Sequence, residues 1–199
     1  MKTSKIIMIV SAALLLLLFV FPIWNITLEA PQYPDPIGMD IWINKLTDAE
    51  PGDIQNINLM NHYVGMKPIP ETMPEFAIFP KVIIGMTILG IILGLIGRYK
   101  LYLIWFVVMA ALGAAGLYDF YLWEYDYGHN LNPKAAIKFV DEDGNPMAYQ
   151  PPLIGNEQIL NFKARSWPRE GSLFLALAMF GSLAAFYAGK KEHTAQARE

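Results

Sequence analysis

Leu101-Tyr-Leu-Ile-Trp-Phe-Val-Val-Met-Ala-Ala-Leu-Gly-Ala-Ala-Gly-Leu-Tyr118 runs for eighteen residues without a charge. A helix needs roughly 20 apolar residues to cross a hydrocarbon core of ~30 Å. The stretch therefore reads as a membrane span, and its aromatic margin extends it to residues 101–121. Three more segments have the same character. Residues 1–24 carry an apolar run, Ile6–Phe21, interrupted only by Ser11. Residues 79–97 hold one charge, Lys81 near the start, and residues 171–189 hold none. The expected fold is mostly α, a four-helix transmembrane bundle. Lys2 and Lys5 precede the first run, which is long for a signal peptide and lacks a good small-residue cleavage site, so it reads as an uncleaved anchor.

The basic residues orient the bundle. Lys2, Lys5, Arg98, Lys100, Lys190, Lys191 and Arg198 lie before the first span, in the link 98–100 and in the tail 190–199. The positive-inside rule puts these segments in the cytoplasm. The long loops 25–78 and 122–170 then face outward, and they are acidic, in a chain of 199 residues with net charge −3. A bacterial inner-membrane protein with periplasmic loops is the expectation. The two loops would form one small mixed cap. An acidic outer face argues against nucleic acid and favours cations.

Within the first loop, Met39–Asn44 alternates apolar and polar residues and reads as a strand. Asp53 opens a helix to about Tyr63, ended by Gly65. Glu71–Phe76 reads as a second short helix. In the second loop, Ala135–Val140 and Met147–Gln150 flank a polar turn and suggest a hairpin. Asn156–Phe162 reads as a short helix. In the second span, Gly90-x-x-x-Gly94 has the spacing of a close helix contact.

The third span runs into Asp119-Phe-Tyr-Leu-Trp-Glu-Tyr-Asp-Tyr-Gly-His-Asn130. Aromatic rings at that depth anchor helices at the headgroups. Carboxylates there are costly unless paired, hydrated or bound to a cation. Glu124, Asp126 and His129 are the residues that anchoring does not explain. The other external His lies in Asn61-His62-Tyr63-Val64-Gly65-Met66. Were helical character to persist, His62 and Met66 would share a face, four residues apart. An imidazole with a thioether suits copper, above all Cu(I), in a chain that has no Cys. Met39 and Met60 would add sulfur. The expected ligands are His62 and Met66, with His129, Asp126 and Glu124 as second-site groups. Asp141-x-Asp143-x-Asn145 resembles a calcium loop, but its Gly144 and Pro152 stand where that motif needs other residues, so it reads as a turn.

Absences narrow the chemistry. Without Cys there are no iron–sulfur or thiolate copper centres. No span contains His for a bis-His haem. No phosphate-binding loop and no nucleophile motif occur, so the chain does not read as an enzyme.

Four segments carry a resemblance. They are Leu28-Glu-Ala-Pro-Gln-Tyr-Pro34, residues 55–68 (QNINLMNHYVGMKP), Trp123-Glu-Tyr-Asp-Tyr-Gly-His-Asn130 and Tyr149-Gln-Pro-Pro-Leu-Ile-Gly155. Together they resemble the small polytopic membrane protein NosB of clade II nitrous oxide reductase gene clusters, sometimes labelled a copper chaperone. The resemblance covers nearly the whole chain. It implies an accessory protein that serves nitrous oxide reductase and its maturation proteins, in copper supply or in electron supply. Two other classes stay open: a quinol-docking or electron-transfer partner, and an assembly scaffold with no small-molecule site.

Overall fold

The structure is a computed structural model that describes residues 2–138, 140, 148–159 and 161–197. Helix α1 (Thr3–Leu14) continues as a 3₁₀ helix, Leu15–Phe19. Strands β1 (Trp24–Glu29), β2 (Ile37–Ile41) and β3 (Leu46–Asp48) follow, then α2 (Asp53–Val64). Helices α3 (Pro74–Ile96) and α4 (Tyr99–His129) come next. Strands β4 (Gly155–Ile159) and β5 (Phe162–Pro168) lead into α5 (Glu170–Gln196).

Three of these helices, α3, α4 and α5, are long and apolar enough to cross a membrane. Their outward faces carry Ile88, Ile92, Ile104, Val107, Leu177 and Phe180, all exposed, as contact with lipid requires. The first apolar segment is shorter. Twelve α-helical and five 3₁₀ residues make a rod of about 28 Å. It is the most enclosed of the apolar helical segments, with Met8, Ala12 and Leu15 wholly buried against α3 and α5. The glycine spacing of α3 serves this contact. A Cβ at Gly90 would meet Ala12 Cβ at 2.6 Å, and one at Gly94 would meet Ile9 Cγ1 at 2.6 Å. Lys5 reaches across and donates to the Leu95 carbonyl at the end of α3.

Beyond the bundle lies a five-stranded antiparallel sheet in the order β3-β2-β1-β5-β4. β1, from the first loop, pairs with β5, from the second, along Trp24↔Pro168 to Glu29↔Lys163. The two loops therefore form one folded unit. The inner face of the sheet packs Trp24, Ile26, Ile37 and Met39 against Ile57 of α2, with Phe120 and Trp123 of α4 at the margin. Burial alternates along β1, as one covered face demands.

Several local expectations change. Glu71–Phe76 is not a separate helix. α3 starts at Pro74 and runs unbroken through Pro80, because proline is tolerated in the first helical turn and packing carries the second. Asn156–Phe162 is not a helix either. Gly155–Ile159 is extended and pairs with β5, so a tertiary partner overrides a neutral local preference. The strand read as Met39–Asn44 lies two residues earlier, where it pairs with β1. Of the expected hairpin flanks, Ala135–Val140 and Met147–Gln150, residues 135–138 and 148–150 are not strands and Val140 is a lone bridge residue, while 139 and 141–147, with the turn, lie outside the described residues. Asp53 does begin α2, but its carboxylate accepts from Gly38 and Glu50. Asp48 accepts from Ile54 and satisfies the helix N-terminus instead.

The largest change concerns residues 119–130. The acidic aromatic run is not a loop. It is the last turns of α4, a 31-residue helix of about 46 Å, well beyond a ~30 Å core. Residues 122–129 rise above the spanning part and pack into the cap.

Candidate functional site

On a helix, neighbours are 100° apart, so residues two apart face away from each other. In the raised end of α4 this sorts the side chains onto three sides. Trp123, Glu124, Tyr127 and Gly128 face the cap. Tyr121, Tyr125 and His129 face outward. Asp126 turns to a third side, toward the chain that follows α2.

Glu124 is fully buried, and neither of its carboxylate oxygens has a hydrogen-bond partner among the described residues. Burial without compensation pushes its carboxyl up to about 8. The side chain opens on a cavity of about 100 Å³ between the sheet, α2 and α4. Ile26, Ile57, Trp123 and Phe162 form apolar walls, and three thioethers, Met39, Met60 and Met66, line the same space. The Met60 sulfur accepts from Gln32 Nε2 at 3.4 Å.

Asp126 is engaged elsewhere. Lys67 Nζ donates to it at 2.6 Å and Asn130 Nδ2 at 3.2 Å. The Lys67 hydrogen bond is the main reason its carboxyl sits below the usual value. Tyr127 adds a bond from its hydroxyl to the Pro68 carbonyl. Asn132 N–H donates to Gly65 O and Ile137 N–H to Tyr63 O, so the chain leaving α4 runs along the chain leaving α2.

His62 and Met66 do not share a helical face. α2 ends at Val64, and Gly65 takes a left-handed conformation with φ 83°. Met66 N–H then bonds back to Asn61 O, a Schellman closure. The reversal carries Met66 into the cavity lining and leaves His62 exposed, edge-on to Tyr63 with centroids 6.0 Å apart. His129 is exposed on the outer side of α4. Its Nδ1 lies 3.0 Å from the Tyr125 carbonyl, and the two rings stack at 4.0 Å.

Of the five expected ligands, the fold thus brings Met66 and Glu124 to one cavity and directs Asp126, His62 and His129 to other surfaces. Among the described residues, no three His, Asp or Glu side chains converge on a point. Comparison with protein-family models, with characterised proteins and with solved structures finds no match for this chain. The cavity is therefore read from its own chemistry: soft sulfur donors and one uncompensated carboxyl group inside an apolar shell. Met39 and Met60 are its less predictable members. They lie 27 and six residues before Met66, with no motif linking them.

Proposed function

We propose that this chain is a multi-pass accessory protein of the bacterial inner membrane that holds Cu(I) transiently in its outer cap. The resemblance to NosB supplies the context, copper delivery to, or maturation of, a periplasmic nitrous oxide reductase. The observation that carries the reading is the cavity shared by Met39, Met60, Met66 and Glu124. Thioethers are soft ligands that favour Cu(I) where no thiolate is present. An ionised Glu124 would balance the charge of the ion. His62 is the exposed imidazole nearest Met66 in sequence, a group for exchange with a donor or acceptor protein. In this reading the α1 rod serves as a fourth, short span, both termini are cytoplasmic and the cap is periplasmic. The chain carries and presents its cargo and catalyses no reaction of its own.

An anaerobic competition titration with a chromogenic Cu(I) chelator tests the proposal on the full chain in detergent. One Cu(I) per chain is expected, with binding weakened in Met66→Ala and in Glu124→Gln. Affinity no greater than that of a double Met39→Leu, Met66→Leu variant would refute it.

A further inference from the structure

A second cavity, of about 460 Å³, adjoins the first, with which it shares Pro151 and Ile159. Its lining includes Tyr121 and His129 from the outward face of α4, Gln150 and Leu153 from the connecting chain, and Glu157 and Ile159 from β4. That volume falls in the range of small-molecule sites.

Two elements give its depth. Tyr121 closes the spanning part of α4, and His129 is eight residues further, about 12 Å along the axis. The headgroup layer adds only ~5–8 Å beyond the hydrocarbon on each side. β5 reaches the membrane end of the cap at Pro168, just before α5, so its antiparallel partner β4 begins at that same end with Gly155. Trp167, exposed beside this edge, bonds to Asn156 through its indole N–H, and Ile154 is exposed next to it. Leu153 and Tyr121 therefore mark the membrane end of the cavity. Tyr118 and Leu122, both exposed, continue the outward face of α4 past that opening.

Three of the lining side chains, His129, Glu157 and Tyr121, suit a cation, and the amides of Gln150 and Gln158 both donate and accept. The Tyr125 carbonyl can only accept, so His129 Nδ1 carries the hydrogen of that bond. Neutral His129 is left with a lone pair on Nε2. Glu157 is an exposed carboxylate without an ion pair among the described residues. No Lys or Arg is among the lining residues described. Tyr121 adds an aromatic face, which attracts cations. The cavity thus offers acceptors, negative charge and a ring, and it rises from headgroup depth at Tyr121 to His129 above that layer, with its lower end toward lipid.

We infer that this cavity binds the ammonium headgroup of an outer-leaflet phospholipid, with ethanolamine as the fitting class. The ammonium donates to Glu157 and to His129 Nε2, with the Tyr121 ring below it toward the membrane end. The acyl chains descend along Tyr118 and Leu122. The lipid would brace the raised end of α4 against β4, and so hold the cap at a set height over the bilayer.

Native mass spectrometry of the full chain, released from nanodiscs of mixed phosphatidylethanolamine and phosphatidylglycerol, tests this. Several-fold preferential retention of phosphatidylethanolamine is expected. Glu157→Gln, on the exposed strand, and His129→Phe should each reduce that preference toward the bulk ratio. Equal retention of both lipids by the unmodified chain overturns the inference, as does a preference unchanged in both variants. Displacement by soluble glycerophosphoethanolamine at concentrations below those of the lipid would assign the site to a free amine and overturn the lipid source. Cu(I) binding by Glu157→Gln is expected to be unchanged, so the two sites fail or stand separately.

Discussion

The Lys67 ammonium and the Asp126 carboxylate meet at 2.6 Å, and the pair ties the chain after α2 to the raised end of α4. Both side chains are about half exposed. An ion pair of this kind contributes roughly 0.2–1 kcal/mol and is screened by salt. Asp126→Asn should therefore lower the melting temperature slightly at neutral pH and low salt. Because the folded carboxyl sits below its unfolded value, the contribution is present above about pH 4 and is lost as pH falls through the folded value. Thermal melts of the two proteins should converge in acid and in high salt. An Asp126→Asn deficit that grows in acid would contradict the assignment.

Glu124 has the opposite sign. Its folded carboxyl is raised to about 8, so the fold favours the protonated form. Stability should fall as pH rises from about 4.3, the unfolded value, and level off above about 8. Glu124→Gln removes this dependence. The variant should be more stable than the parent at pH 8.5, by at most about 5 kcal/mol and by less where water enters the cavity. Near pH 4 the two should match. Metal-free denaturation curves at both pH values check this, and equal pH profiles would remove the buried-acid reading.

Trp24 and Ser166 join the two halves of the cap. The indole N–H donates to the Ser166 hydroxyl at 2.8 Å, and that hydroxyl donates to the Leu153 carbonyl at 3.1 Å. Ser166→Ala leaves a buried donor and acceptor unpaired, at a cost of about 1–3 kcal/mol. Indole fluorescence during denaturation should show the cap melting earlier, with the helical signal of the bundle retained. Unchanged cap stability would mean that water replaces the hydroxyl.

Gly65 directs Met66. Its φ of 83° is strained for other residues, and a Cβ there would lie 2.8 Å from Ala135 Cβ and 2.9 Å from Asn132 O. Gly65→Ala should cost about 1–2 kcal/mol. If Met66 is a ligand, the same change weakens Cu(I) binding, whereas Gly52→Ala, at a left-handed position with open space, strains the chain but leaves binding intact. Parallel Cu(I) competition assays on the two variants make the comparison.

Much of the bundle was legible because long uncharged runs admit few other readings. α3 ends at Gly97, at the basic link, as its glycine suggests, whereas α5 runs on through Lys190 and Lys191 to Gln196. α2 was legible from its spacing and from Gly65. The sheet was not. β1 and β5 are separated by most of the chain, so neither local pattern contains the pairing. The helical state of residues 122–129 was hidden for a related reason. Tyr, Trp and Asp have no strong helix preference, and the cap contacts of Trp123 and Tyr127 extend the helix beyond the bilayer.

Sequence by itself determined the apolar helices, the acidic loops and the short list of polar residues near the membrane surface. Those follow from composition and period, which are local. Only the tertiary structure decided that Glu124 is buried beside Met66, while Asp126 meets Lys67 and His129 faces outward. A helix turns by 100° per residue, so these side chains were bound to diverge. Which of them entered the cap depended on a sheet whose strands come from opposite ends of the chain.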